Sequence, residues 1–291
     1  MEKNYVVMTD SSADLNPALE QELGVDIIPL SVSCGDRTFL DYPDEREIKA
    51  SEFYDMLRNG ANAKTAAANV ETFLTAMSRH LQQGKDVLYL GFSSGLSSTY
   101  SAAEIAAQEL RERYPERKIL TVDTLCASMG QGLLVFLTVQ ELQRGATLEQ
   151  AAKYAEDNRL HLCHWFTVDD LFFLKRGGRV SAATALVGSA LGIKPVLHVD
   201  NEGHLINVSK ARGRRNSILA LADRMEKSAI EPEKQTVFIS HGDCLADAEF
   251  LAQEVRRRFA VARLEINTIG PVIGAHSGPG TLALYFLGTE R

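Results

Sequence analysis

Short apolar runs alternate with longer amphipathic ones through the first 160 residues. Residues 5–9 (YVVMT) predict a strand, and Asn16-Pro17 then caps and opens a helix that Gly24 stops. Residues 26–32 read as one further strand. Helices are predicted from near Ser51 to Gly60, and from a cap at Asn69 to Gly84. Residues 86–92 form an apolar strand, 101–114 a helix and 119–123 another strand, and helices at 129–143 and 148–160 complete the region. Strands alternating with helices predict a parallel sheet covered by helices on both faces.

The second half is patterned differently. Residues 164–168 read as a strand and 181–191 as a helix of small residues. The stretch PVLHVDNEGHLINV carries two strand-like segments around Asn201-Glu202-Gly203, a hairpin signal. Helices at 215–228 and 245–259 alternate with strands at 236–240 and 263–268, and Pro279-Gly280-Thr281 reads as the opening of a last apolar helix. The expected fold is α/β in two domains. The first, at 1–160, carries a parallel sheet; the second, at 161–291, carries a mixed sheet.

Composition narrows the function classes. In 291 residues, 31 basic and 38 acidic side chains leave a net charge of −7, which argues against binding to a phosphate backbone. The basic run KARGRR at 210–215 reads as a solvated face. The N-terminal apolar run is too short for a signal peptide, and no apolar window is long enough to span a bilayer. Cys34, Cys126, Cys163 and Cys244 are scattered and form no C-x-x-C pair, which predicts reduced thiols in the cytoplasm.

The chemistry concentrates in VLYLGFSSGLSSTYSAAEIA, at 87–106. Gly91-Phe92-Ser93-Ser94-Gly95 fits the G-x-S-x-G pattern of a hydrolase nucleophile elbow. With Asp243 and His276 downstream, the order Ser…Asp…His would suit a serine esterase. The same loop offers Ser93, Ser94, Ser97, Ser98 and Thr99 between a buried strand and a helix start, where hydroxyls and unpaired N–H groups hold an anion without attacking anything. Both readings stand at this level. His276, among glycines in IGPVIGAHSGPGTLALYFLG, and Thr65, in NAKTAAANVETF, are further candidates. The HLCH segment at 161–164 lacks a second ligand cluster at metal spacing, and no P-loop pattern occurs, so neither a metal nor a cofactor is expected.

Several segments together resemble one family. TDSSADL (9–15), GFSSGLSSTYSAA (91–103), VDTLCASMGQG (122–132), LKRGGRVS (174–181), LGIKPVL (191–197) and IGPVIGAHSGPGTLALYF (269–286) are similar to the DegV family of bacterial fatty-acid-binding proteins, which includes the substrate-binding subunits of fatty acid kinase. The resemblance implies two α/β domains with a long-chain fatty acid between them. The tail would be buried in an apolar tunnel, and the carboxylate presented to a separate ATP-dependent kinase subunit that makes the acyl phosphate for phospholipid synthesis. It implies no catalysis by this chain and assigns the carboxylate to Thr65, Ser93, Ser94 and His276, with Ser97 and Arg176 as weaker members. A binding protein for another small amphipathic anion is the remaining alternative. The family often shows T-S-Q-P-S where this chain has Thr65-Ala66-Ala67-Ala68-Asn69, and S-G-T where it has Ser97-Ser98-Thr99, so ligand selectivity is expected to differ.

Overall fold

A computed structural model describes residues 4–181 and 192–291. The segment expected to form a helix at 181–191 therefore falls outside the described residues apart from Ser181. Four parallel strands form the first sheet: β1 (Tyr5–Asp10), β2 (Asp26–Ile28), β6 (Asp86–Gly91) and β7 (Ile119–Asp123), in the order β2-β1-β6-β7. The strand expected over 26–32 is divided. β2 ends before Pro29, which has no N–H to donate to a ladder. The chain then leaves for a small antiparallel sheet of β3 (Ser31–Cys34), β4 (Arg37–Leu40) and β5 (Ala63–Ala66).

Helices cover both faces of the parallel sheet. α3 (Val70–Leu81) and α4 (Thr99–Arg113) pack Phe73, Met77, Ala103, Ala107 and Leu110 against Met8, Val87 and Tyr89 on one side. Asn69 caps α3 as expected, its side chain accepting from Thr72 N at 2.9 Å. On the other side lie α1 (Pro17–Leu23), α5 (Met129–Gln143) and α6 (Leu148–Asn158). Most of α5 is buried, and its sequence is apolar nearly all round, as a helix covered on every side requires.

What covers α5 is the third sheet, six-stranded and mixed. Its strands are β8 (Leu162–Thr167), β9 (Ile193–Val199), β10 (Leu205–Arg212), β11 (Thr236–His241), β12 (Arg263–Thr268) and β13 (Leu282–Leu287), in the order β10-β9-β8-β13-β11-β12. Phe136 of α5 meets Phe238 of β11 edge to face, ring centroids 5.6 Å apart. On the far side of this sheet, α8 (Arg214–Ser228) and α9 (Leu245–Arg258) bury Leu221, Met225, Leu251 and Val255 against Val237, Leu284 and Phe286. The expected hairpin is β9 and β10, antiparallel around Gly203.

The end of the chain departs from expectation. The segment expected to be an apolar helix after Thr281 is β13, a strand wedged between β8 and β11. LALYFL is too short to tell a buried helix from a buried strand by periodicity, and two vacant sheet edges decide it. The helix lies earlier, as α10 (Pro271–Ser277), packed on α2 (Ala50–Arg58), α7 (Leu171–Arg176) and the small sheet. His276 thus stands in the last turn of a helix, not beside a helix start.

Candidate functional site

A cavity of about 320 Å³ opens where the small sheet, the serine loop, α10 and the inner face of the mixed sheet converge. Much of its wall is apolar: Leu30, Phe92, Phe166, Leu174, Val272 and Ala283 all contribute. One set of polar groups gathers at its half-buried end. Thr65 comes from β5, registered opposite Val32, and its Oγ1 lies 2.7 Å from His276 Nε2. Ser97 and Arg179 line the same cavity. Ser97 Oγ is 2.9 Å from Thr99 Oγ1 and accepts from Thr99 N at 3.2 Å, so it is held against the start of α4.

His276 is neutral near pH 7. Burial, then the guanidiniums of Arg179 and Arg176, push its pKa down to about 4. Its Nδ1 has no hydrogen-bond partner among the described residues and faces Gly177, where an added Cβ would lie 2.3 Å away. A residue with a side chain at 177 would displace the imidazole from Thr65. Arg179 is half-buried, which lowers its pKa. Its guanidinium donates to the carbonyls of Gly177 and Leu96, the latter at 3.0 Å, and no carboxylate pairs with it among the described residues.

The expected site residues divide. Thr65, Ser97 and His276 are brought together on the cavity wall; Ser93, Ser94 and Arg176 are not. Ser93 is fully buried, and its Oγ donates to Gly203 O at 2.9 Å. The tip of the β9–β10 hairpin is seated directly on it. Gly203 adopts φ +79°, and a Cβ there would lie 2.1 Å from Ser93 Oγ. The side chain of Ser94 is exposed, while its N–H donates to Asp123. Arg176 is exposed on α7, donates to Asn62 Oδ1 at 2.9 Å and lies over the Phe173 ring. Arg179, from the same KRGGR element, is the guanidinium that reaches the cavity, and nothing in the spacing of the two arginines distinguishes them.

A hydrolytic triad is not assembled. His276 engages Thr65 rather than Ser93, and Asp243 pairs with Arg58 at 2.5 Å. The HLCH histidines serve the backbone: His161 Nδ1 meets Gly288 O, and His164 Nδ1 meets Leu162 O at 2.9 Å. Among the described residues, no cluster of three His, Cys, Asp or Glu side chains is placed to hold a metal, and no helix is long and apolar enough to cross a membrane. A neighbouring cavity of about 310 Å³ is lined by Asp14, Asp41, Asp44 and Glu45 and by no basic side chain among the described residues, so it offers an anionic headgroup no cation.

A family model described as an uncharacterised protein of the DegV family matches residues 4–289. The chain belongs to the DegV family. Among its relatives, a DegV domain-containing protein of Clostridium perfringens is 42% identical over 289 residues, covering 99% of both chains. Among solved DegV structures, a lipid-binding protein from Thermotoga maritima is 31% identical, with a TM-score of 0.87 over the whole of both chains. A DegV family protein from Thermus thermophilus, described as binding fatty acid, is 32% identical, with a TM-score of 0.88 over 98% of this chain and 99% of that one. The α/β fold with one parallel and one mixed sheet is thus the DegV fold.

Proposed function

We propose that the protein binds a long-chain fatty acid in the 320 Å³ cavity, with the carboxylate at the half-buried end and the tail along the apolar wall. The observation that carries this reading is the pairing of Thr65 with His276 beside Ser97 and Arg179, at the half-buried end of a cavity with a largely apolar wall. On this reading the ligand lies between residues 1–160, which supply Thr65 and Ser97, and residues 161–291, which supply Arg179 and His276.

The hydrogen-bond bookkeeping at His276 suits an anion. With Nδ1 unpartnered, the less costly tautomer puts the proton on Nε2, which then donates to Thr65 Oγ1. Thr65 keeps its own proton for the carboxylate. Hydroxyl donors and a guanidinium offset the desolvation of the headgroup, which would otherwise cost several kcal/mol. Each buried methylene contributes about 0.8 kcal/mol, so the tail supplies most of the affinity and the polar end sets its direction.

The test is mass spectrometry of an organic extract of the purified protein, followed by titration with stearic acid. A bound fatty acid is expected, and Thr65→Ala or His276→Ala is expected to weaken binding about tenfold, as loss of one hydrogen bond to a charged group would. No extractable fatty acid, together with no binding of added stearic acid, removes the reading.

We further propose, from the resemblance of the six quoted segments to kinase-linked DegV proteins, that the held acid is presented to a separate ATP-dependent fatty acid kinase subunit. This chain would then be a cytoplasmic carrier and not the phosphotransferase; its four cysteines are free thiols, as a reducing compartment favours. Acyl phosphate, trapped as the hydroxamate, should form only when kinase subunit, ATP and loaded protein are combined. Formation without this chain, or none with all three, counts against that role.

A further inference from the structure

Deeper in the same cavity stands a second polar group of residues: Ser12, Ser128, His164 and Tyr285. They are 0%, 4%, 2% and 3% exposed, whereas Thr65, Ser97, Arg179 and His276 are all half-buried. Ser128, Tyr285 and Ser240 form a chain of hydroxyls leading to Asp14, the residue that closes the turn carrying Ser12. Ser128 Oγ donates to Asp14 Oδ2 at 2.5 Å and lies 3.1 Å from Ser240 Oγ, which lies 2.9 Å from Tyr285 OH.

Ser128, Ser240 and Tyr285 satisfy one another and Asp14 along this chain, whichever way its protons run. His164 Nε2 accepts from Ala127 N at 3.3 Å, which leaves the Nδ1 proton for Leu162 O. In this group only Ser12 lacks a side-chain hydrogen-bond partner among the described residues. Ser12 Oγ is fully buried, lines the cavity and has no hydrogen-bond partner among the described residues. Ser277 Oγ, next to His276 in sequence, is likewise without a partner among the described residues.

A hydrocarbon tail laid against Ser12 would leave that donor unpaired, which is costly in a dry site. We infer that the cavity is built for a fatty acid that carries an oxygen along its chain, a hydroxyl or a keto group, which accepts from Ser12 Oγ. Tyr285 retains a lone pair that a ligand hydroxyl can meet with its own proton. The inference rests on the fatty-acid reading above and names the class of acid.

The experiment compares stearic acid with a panel of stearic acids bearing a single hydroxyl or keto oxygen in the middle of the chain or near its methyl end. Binding of each is titrated against the wild-type protein and against Ser12→Ala. At least one oxygenated acid is expected to bind as tightly as stearic acid or up to about tenfold tighter, and Ser12→Ala to cut its advantage roughly fivefold. If every oxygenated acid binds more weakly than stearic acid, or if the substitution leaves the ratio unchanged, the inference falls while the fatty-acid reading stands. If neither stearic acid nor any panel member binds, both fall. Should Ser12→Ala fail to fold, the wild-type ranking alone decides.

Discussion

At His276 the fold prefers a neutral imidazole, and at Asp41 it prefers a protonated carboxyl; the two preferences oppose each other in pH. The unfolded histidine takes up a proton below its ordinary 6.5, whereas the folded one waits until about 4. Its contribution, roughly 3 kcal/mol, is therefore lost as pH falls from about 6.5 to about 4. Burial, opposed in part by the bond from Val272 N, raises Asp41 from 3.8 to about 7, so its contribution is present at low pH and lost as pH rises through that interval. Relative to wild type, His276→Gln should gain stability as pH falls from about 6.5 to about 4, and Asp41→Asn should gain as pH rises from about 4 to about 7. Urea midpoints across this range measure both; curves parallel to wild type would contradict the assignment. Thr65, Ser97 and His276 could be picked out of the sequence because hydroxyls and an imidazole among small residues are conspicuous there. The role of Ser93 could not. What occupies it is the carbonyl of Gly203, 110 residues away, and no local pattern reports which loop will land on which.

Among the elements, the β9–β10 hairpin and the serine loop form one docked unit. Ser93→Ala removes the bond to Gly203 O and is expected to cost about 1 kcal/mol while leaving stearic acid affinity within about twofold. Gly203→Ala combines a left-handed φ with a Cβ 2.1 Å from Ser93 Oγ and should cost about 1–3 kcal/mol. Chemical denaturation and titration of the two variants separate the roles; a large loss of affinity in Ser93→Ala would return that hydroxyl to the ligand. The long helices and the parallel strands were legible, since periodicity and caps agree there: Met129–Gln143 and Ile119–Asp123 have the expected bounds. The small sheet was not, because its strands are four residues each and β5, AKTA, carries almost no strand signal. β13 was misread for the complementary reason: its apolar run fits either element, and its two neighbours decide.

For the whole molecule, the layers run helix, parallel sheet, helix, mixed sheet, helix, and a single core cluster joins the two sheets through α5. That continuity predicts one cooperative thermal transition rather than two, because neither sheet can lose α5 without exposing the other's core. Stearic acid at about a hundredfold excess over its dissociation constant should raise the stability of the whole by about 2.7 kcal/mol. Calorimetry with and without the acid reads both; two transitions, only one of them ligand-sensitive, would show the halves to be independent. Arg179 adds an electrical consequence. Outside its corner the protein carries an excess of acid groups, yet here, among the described residues, a cation is answered by carbonyl dipoles. A carboxylate arriving beside it discharges the corner, and one departing recharges it, so loaded and unloaded forms differ by one unit of charge at a fixed place on the molecule. A partner guided by long-range fields can read that difference before it touches the surface.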